Sequence, residues 1–188
     1  MSKNPRCLFN SDFVSFLNSD NNAILGELCD NFHGSALTTT IEAWKSEIEI
    51  MKNIVTSLQD NKGQIIFEYD IPRLGKRIDV VLLLHGIVFA LEFKVGADEY
   101  LRQDTEQVWD YALDLKNFHE GSHNKVIVPI LVATEALETS LQFSACIYND
   151  KVYEPVCTNA KDLRSCIKKI LEIEKKKNNL LVQIVEHH

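Results

Sequence analysis

The sequence has few of the residues that mark fibrous, low-complexity or disulfide-rich proteins. It contains 7 glycines and 4 prolines among 188 residues, too few for a collagen-like or a wholly disordered chain. Its 5 cysteines are odd in number, lie far apart and form no C-x-x-C pair, so they predict neither a disulfide framework nor a zinc knuckle. We therefore expect reduced thiols that are mostly buried as small hydrophobic side chains.

Long apolar runs and an excess of positive charge are also missing. No stretch approaches the roughly 18 consecutive apolar residues that span a bilayer, and the N-terminus lacks the apolar run of a secretion signal. These absences predict a cytoplasmic protein without a membrane partner. The formal net charge of -7 disfavours passive attraction to polyanions, so a nucleic-acid partner would require local basic residues or bound cations. We interpret the terminal residues 187–188, His-His, as the remnant of a purification tag.

The residues that are present fit one compact domain. A chain of 188 residues with 45% hydrophobic content can bury a sizeable core, and we predict a single domain over residues 1–186 with its core at about 39–135. Apolar residues recur at helical spacing in several segments. The expected helices are two short ones between Asp12 and Asn31, a long one with a narrow buried stripe over Ile41–Leu58, and a last one from about Ala160.

Between the long helix and the last one, the pattern changes to runs rich in Ile, Val, Leu and Phe with turn residues between them, which is typical of strands. A helical pattern over Ala97–Asn117 separates two of these runs, so a helix crosses from one strand to the next. We predict an α/β fold in which a mixed central β-sheet is flanked by helices. The expected strands are Gln64–Ile71, Arg77–Leu84, Ile87–Val95, Lys125–Ala133, Ser144–Tyr148 and Lys151–Val156.

Two acids are brought together if His85-Gly86 forms a two-residue hairpin loop. Leu84 then pairs with Ile87, and the same register places Asp79 opposite Glu92. Opposed carboxylates on one face repel each other unless a proton or a cation lies between them. Strand alternation puts Lys94 on the face of Glu92. Oxygen ligands from the two acids and a backbone carbonyl predict a hard ion, Mg²⁺ or Mn²⁺, which also retains water.

These residues resemble the PD-(D/E)XK nuclease superfamily, in which an acid on a helix, an Asp on a strand, a Glu-x-Lys strand and a following helix, often with Gln, come in this order. The resemblance implies a restriction-endonuclease-like core and a divalent-metal-dependent nuclease that hydrolyses phosphodiester bonds. Ile78 departs from the superfamily's name-giving proline, a position that tolerates change. The matching positions are Glu47 for the helix acid, Asp79 for the strand acid, Glu92 and Lys94 for the Glu-x-Lys pair, and Gln107 with Tyr111 for the following helix.

A closer resemblance is to the N-terminal domain of bacterial proteins that continue into a Schlafen-like superfamily 1 helicase. It covers about residues 10–135, and its clearest segments are Ile71–Arg77, Leu91–Gly96 and Gln107–Leu115. The resemblance implies that a C-terminal helicase portion is a missing partner, because this chain carries no Walker A segment. It also implies nucleic acid, most simply DNA, as the substrate.

The superfamily resemblance assigns the following roles. Mg²⁺ would be held by Asp79, Glu92 and the Phe93 carbonyl, with Glu47 holding a second ion or its water. Lys94 would stabilise hydroxide or lower the pKa of the attacking water, and Gln107 would orient Lys94 or the substrate. Phosphate contacts are expected from Arg73, Lys76 and Arg77.

Several alternatives stay open. The fold could be catalytically inactive and act as a nucleic-acid-binding or protein-interaction module, or the acids could serve only as ion pairs on the sheet surface. Glu42, Glu49 and Glu68 compete with Glu47 for the role of the helix acid. Tyr111 could be core packing, and Lys175–Lys177 is typical of a solvated helix end.

Overall fold

The computed structural model describes residues 6–33, 38–58, 62–71, 74–137 and 151–186, with side chains to residue 179. In this part of the chain a six-stranded sheet runs in the order β1 to β6. The elements are β1 Phe9–Asp12, α1 Phe13–Asn18, α2 Asn21–Asn31, α3 Thr38–Leu58, β2 Gln64–Ile71, β3 Lys76–Leu84, β4 Ile87–Lys94, α4 Arg102–Phe118, β5 Val126–Ala133, β6 Val156–Thr158 and α5 Leu163–Glu186. The expected strand Ser144–Tyr148 and the residues Arg73, His187 and His188 lie outside the described ranges.

The sheet is mixed and flanked by helices, which confirms the predicted α/β class. Strands β1 to β4 pair in antiparallel fashion, and β4, β5 and β6 are parallel. Helix α4 supplies the crossover from β4 to β5. Helices α1, α2, α3 and α5 pack on one face of the sheet in a larger core, and α4 packs on the other face in a smaller core. None of the helices described is long and apolar enough to cross a membrane.

The β3–β4 hairpin has the predicted register. Leu84 pairs with Ile87, and the pairing continues without a slip to Val80 with Leu91. The loop residues His85 and Gly86 have φ values of 51° and 78°, so both lie in the left-handed region that a tight hairpin turn of this type requires. This turn fixes which residues of the two strands face each other.

We expect Gly86→Ala to lower the free energy of unfolding by about 1 kcal/mol, because an alanine in the left-handed region is disfavoured by roughly that amount. A Cβ at this position would meet no atom within 4 Å, so the loss comes from the backbone alone. Gly26→Ala is the matched control, since Gly26 lies within α2 with equally open space and its replacement should stabilise the helix. Urea unfolding of the two variants should therefore move in opposite directions.

The largest differences from the predicted boundaries are at α4 and β6. Helix α4 begins at Arg102 rather than Ala97, because Gly96 turns the chain with φ 79° and its N–H donates to Thr134 Oγ1 at 2.8 Å. The N–H of Glu135 then donates to the carbonyl of Ala97 at 2.9 Å, which holds this segment against the end of β5. Hydrogen bonds to residues just after β5 therefore hold the segment in which the sequence predicted the start of the helix.

Strand β6 spans Val156–Thr158 instead of the predicted Lys151–Val156, in which Val152 makes one isolated bridge to Ile127. Pro155 has no N–H to donate, which prevents a continuous ladder through the predicted segment. Strand β1 was not expected at all, because its four residues alternate too little to stand out from the helix that follows.

Candidate functional site

Strands β3 and β4 separate at one end of their hairpin. Their pairing stops at Val80 with Leu91, although both strands continue beyond it. Past that point β3 stays paired with β2, so the sheet forks between a β2–β3 arm and β4. The Asp79 carboxylate lies in the fork and accepts a hydrogen bond of 2.7 Å from the N–H of Phe93. A side chain thus contacts β4 where the backbone pairing of the hairpin has ended.

The side chains of the β2–β3 arm switch from one face of the sheet to the other at the level of the fork. Phe67 and its partner Val80 face the larger core, whereas Tyr69 and its partner Ile78 face the smaller one. Residues two apart in a regular strand point to the same face of the sheet. The side chains of β2 therefore switch faces at Glu68. Glu68 has a φ of 55°, a left-handed conformation that a residue other than glycine adopts only at a cost in free energy.

The Glu68 carboxylate is held at both oxygens. Oε1 accepts a hydrogen bond of 2.8 Å from Trp44 Nε1, and Oε2 lies 2.9 Å from Arg77 Nε. The strand pairs on either side place Glu68 opposite Asp79. A fixed negative charge therefore adjoins the fork.

Glu92 and Lys94 form a hydrogen-bonded group with α4. Lys94 Nζ lies 2.9 Å from Glu92 Oε1, and Gln107 Nε2 donates to the same oxygen at 2.8 Å. Gln107 also donates to the hydroxyl of Tyr111 at 2.6 Å and accepts from Lys94 at 3.4 Å. Tyr111 is at the same time buried in the smaller core. The Gln107 amide therefore fixes the acid and the amine relative to the helix.

Lys94 stays a cation in this setting. Burial lowers its pKa, but the charge of Glu92, the hydrogen bond to it and the charge of Asp104 outweigh burial and raise the pKa above its usual value. The Asp104 carboxylate lies 3.4 Å from Lys94 Nζ. The amine is thus suited to stabilise negative charge and is unsuited to accept a proton at neutral pH.

Two acids near the fork are almost fully buried and incompletely bonded. Glu47 and Glu92 are 3% and 4% exposed. The Oε2 atom of each has no hydrogen-bond partner within the part of the chain that the structure describes. Most buried polar atoms in proteins are paired, and leaving one unpaired costs about 1–3 kcal/mol. Such a pair of atoms marks a site that protons or a cation would complete.

The acids hinder one another's ionisation. Burial, followed by the charges of Glu68 and Glu92, raises the pKa of Glu47 from 4.5 to about 8. The pKa of Asp79 is raised well above its usual value, first by burial and then by the charges of Glu92 and Glu47. Burial also raises the pKa of Glu92, although Lys94 and a hydrogen bond with Asp79 act in the opposite direction. Removal of negative charge is therefore favourable throughout this cluster.

The oxygen atoms of the acids fit a hard cation, although the described residues form no complete set of metal ligands. The Asp79 carboxylate bonds to the N–H of Phe93, next to Glu92 in β4, and both acids offer only oxygen atoms. Among the described residues, no group of three or more His, Cys, Asp or Glu is arranged to hold a metal ion. Mg²⁺ commonly binds through one or two carboxylates and keeps several waters, so a smaller set of protein ligands is compatible with this ion. Ligation by Asp79, Glu92, Glu47 and the Phe93 carbonyl stays a prediction.

Two of the three basic residues expected to contact phosphate lie within the described ranges. Arg73 lies outside the described ranges. Lys76 is exposed at the start of β3. Arg77 pairs with Glu68 and lies 5.1 Å over the ring of Phe32, so its guanidinium already contacts other parts of the protein. The phosphate contacts of these residues stay a prediction.

Two acids of the site were not singled out by the sequence pattern. Glu68 was only an alternative to Glu47, and its position depends on the β2–β3 register and on a backbone conformation that no sequence signal announces. Asp104 had a usable signal, because it lies three residues before Gln107 on one helix face. Because Gln107 contacts Lys94, an acid on the same face of the helix can contact Lys94 as well, and Asp104 does so.

Comparison with known proteins gives no relative. No protein-family model, no curated protein and no solved structure matches the chain. The resemblance to PD-(D/E)XK nucleases therefore depends on the residues and the order of elements alone.

Proposed function

We propose that this chain is a divalent-metal-dependent nuclease that hydrolyses phosphodiester bonds in nucleic acid, with DNA as the first substrate to test. One observation carries the proposal. The Asp79 carboxylate lies in the fork and accepts from the N–H of Phe93, beside Glu92. Glu92 keeps a buried oxygen without a donor among the described residues, and the Lys94 ammonium lies 2.9 Å from its other oxygen. The resemblance to the PD-(D/E)XK pattern supports this and implies a restriction-endonuclease-like fold.

The residues of the fork would divide the chemistry between them. Asp79, Glu92 and the Phe93 carbonyl would hold Mg²⁺ or Mn²⁺, with Glu47 beside them. Such an ion, when bound, acts as a Lewis acid on the phosphate and lowers the pKa of a water molecule. Lys94, which is a cation at neutral pH, would stabilise the charge that develops on the phosphate oxygens.

Positioning would come from the second layer of contacts. Gln107 donates to Glu92 and accepts from Lys94, so it would keep both in the orientation that the reaction needs. Lys76 and Arg73 would contact phosphates of the bound strand. We place the chain in the cytoplasm, as the N-terminal domain of a larger helicase-type protein.

Calorimetric titration with Mn²⁺ tests the metal site directly. The wild-type chain should bind the ion, and Asp79→Asn should weaken binding by more than about tenfold. Mutation of a residue that only hydrogen-bonds to a metal ligand already lowers metal affinity by about 10–100-fold, and loss of a ligand should cost at least as much. Asp110→Asn is the matched control, since Asp110 is an exposed acid of α4 and its replacement makes the same change in net charge. Equal affinities of the two variants would show that Asp79 is not a ligand.

A cleavage assay separates the nuclease from the inactive binding module. We expect single-stranded, double-stranded or branched DNA to be cut only when Mg²⁺ or Mn²⁺ is present. A chain that binds Mn²⁺ and nucleic acid but leaves DNA and RNA uncut would be a binding module. A chain that binds no ion would leave the acids as ion pairs only, an alternative favoured by the direct contacts of Lys94 with Glu92 and Asp104.

A further inference from the structure

A cavity lies beside the fork between the β2–β3 arm and the C-terminal end of α4. Its volume is about 170 Å³. Its walls come from three separate parts of the chain, which are the segment before β1, the end of β2 and the end of α4. The lining residues on which the argument depends are Arg6, Tyr69, Asp70, Asp114, Phe118 and His119.

Aromatic rings form much of this cavity and two of them are fixed. Tyr69 and His119 meet edge to face, with ring centroids 6.1 Å apart and planes at 85°. His119 Nδ1 lies 2.8 Å from Ser122 Oγ, which holds the imidazole in place. Phe118 is 56% exposed although it is a large apolar ring at the cavity. Exposed and fixed rings at one cavity provide faces on which another flat ring can stack.

The polar groups of the cavity match the edge of a nucleobase better than a phosphate. Asp70, Asp114 and Arg6 line the cavity. A carboxylate can accept hydrogen bonds from a ligand, and a guanidinium can donate them. Amino groups of bases are donors, and ring nitrogens and carbonyls of bases are acceptors. Two acids against one guanidinium give the lining no excess of positive charge, so an anion is not attracted here.

The cavity continues the helix face that carries the proposed active site. Phe118 follows Gln107 by eleven positions, which brings it back to nearly the same face of α4 at about 16 Å along the axis. Tyr111 and Leu115 lie between them on that face, and Leu115 lines the cavity. Tyr111 and Leu115 are buried against the sheet, so a strand that reaches both sites passes around this face of the helix. The separation of about 16 Å corresponds to a few nucleotides.

We infer that this cavity binds a single unstacked nucleobase of the substrate strand, so that the chain acts on single-stranded or locally opened nucleic acid. The inference rests on the proposed function, because it presumes that the chain meets nucleic acid. Phe118 supplies the stacking surface, the Asp70 and Asp114 carboxylates accept from the base edge, and Arg6 donates to it.

The test uses a short single-stranded DNA that carries 2-aminopurine, whose fluorescence falls when the base stacks. Binding is measured with Ca²⁺ in place of Mg²⁺, by anisotropy for affinity and by 2-aminopurine intensity for stacking. We expect the wild-type chain to quench the base, and Phe118→Ala to remove the quenching and weaken binding by about tenfold. Trp109→Ala is the matched control, because Trp109 is an exposed ring on the opposite face of α4.

The outcomes separate this inference from the proposed function. Quenching that depends on Phe118 but not on Trp109 supports the base site, even if no DNA is cut. Bound DNA without quenching, no binding of the DNA, or equal effects of the two variants would overturn it. If Phe118→Ala cuts single-stranded DNA with wild-type affinity and rate, the nuclease stands and the base site is wrong. An RNA of the same sequence shows which sugar the site accepts.

Discussion

Lys94→Ala is expected to lower metal-dependent cleavage by about 10²–10³-fold, the usual cost of removing one fixed donor that stabilises charge in a transition state. The same variant should bind Mn²⁺ at least as tightly as the wild-type chain, because it removes a positive charge 2.9 Å from Glu92 Oε1. The rate of cleavage should therefore fall while the affinity for Mn²⁺ stays the same or rises. Initial rates of DNA cleavage and calorimetry with Mn²⁺ measure the two quantities separately.

Two further variants make this result specific. Lys45→Ala removes an exposed lysine that pairs with the exposed Glu42 on α3, so its rate should equal that of the wild-type chain. Glu92→Gln should lose both cleavage and tight Mn²⁺ binding, because it removes a proposed ligand. If Lys94→Ala cleaves DNA at the wild-type rate, the ammonium plays no part in the reaction, and the Lys94 contacts are ion pairs alone.

The central part of the site could be predicted from the sequence because one short turn fixes it. The two-residue loop at His85-Gly86 sets the register of β3 and β4 as far as Val80 with Leu91. The next residue of β3, Asp79, then reaches β4 through the N–H of Phe93. The Glu-x-Lys spacing then places the amine on the same face by strand alternation alone. Turn geometry and strand alternation were therefore sufficient to predict which residues of β3 and β4 lie close together across the hairpin.

The rest of the site depends on contacts between distant segments, which no local pattern encodes. Glu47 reaches the acids only because α3 packs on the larger core. Glu68 faces Asp79 because the β2–β3 arm turns over at a left-handed residue, and a glutamate is not the residue that such a conformation favours. The missed strand β1 is of the same kind, since it is a short edge strand held by pairing with β2.

Glu47→Gln is expected to stabilise the metal-free chain at pH 8 by about 2–4 kcal/mol, which follows from the raised pKa of Glu47 and its burial. The glutamate must lose its proton at this pH in the unfolded chain but is held back from doing so in the fold by burial and by the charges of Glu68 and Glu92. Glutamine carries no charge and removes this conflict. For a chain of this size the gain corresponds to a rise in Tm of roughly 5–15 °C.

The pH dependence gives the sign of this effect. Below about pH 4.5 Glu47 is protonated in both states, so wild type and variant should differ little in this respect. Between pH 4.5 and about 8 the unfolded chain ionises first and binds fewer protons than the fold, so the wild-type chain loses stability as the pH rises. The difference in Tm between the two proteins should therefore grow across this window and level off above it.

An exposed neighbour and added metal complete the experiment. Glu49→Gln makes the same change in charge on the solvent side of α3, so its Tm should stay within about 2 °C of the wild-type value at every pH. Saturating Mn²⁺ should raise the Tm of the wild-type chain, because an ion bound only by the fold stabilises it and relieves the repulsion among the acids. A Glu47→Gln variant that melts below the wild-type chain at pH 8 would mean that Glu47 is a structural acid whose ionised form the fold favours. A higher Tm combined with lost cleavage would instead show that the fold gives up stability to keep a carboxylate at the fork.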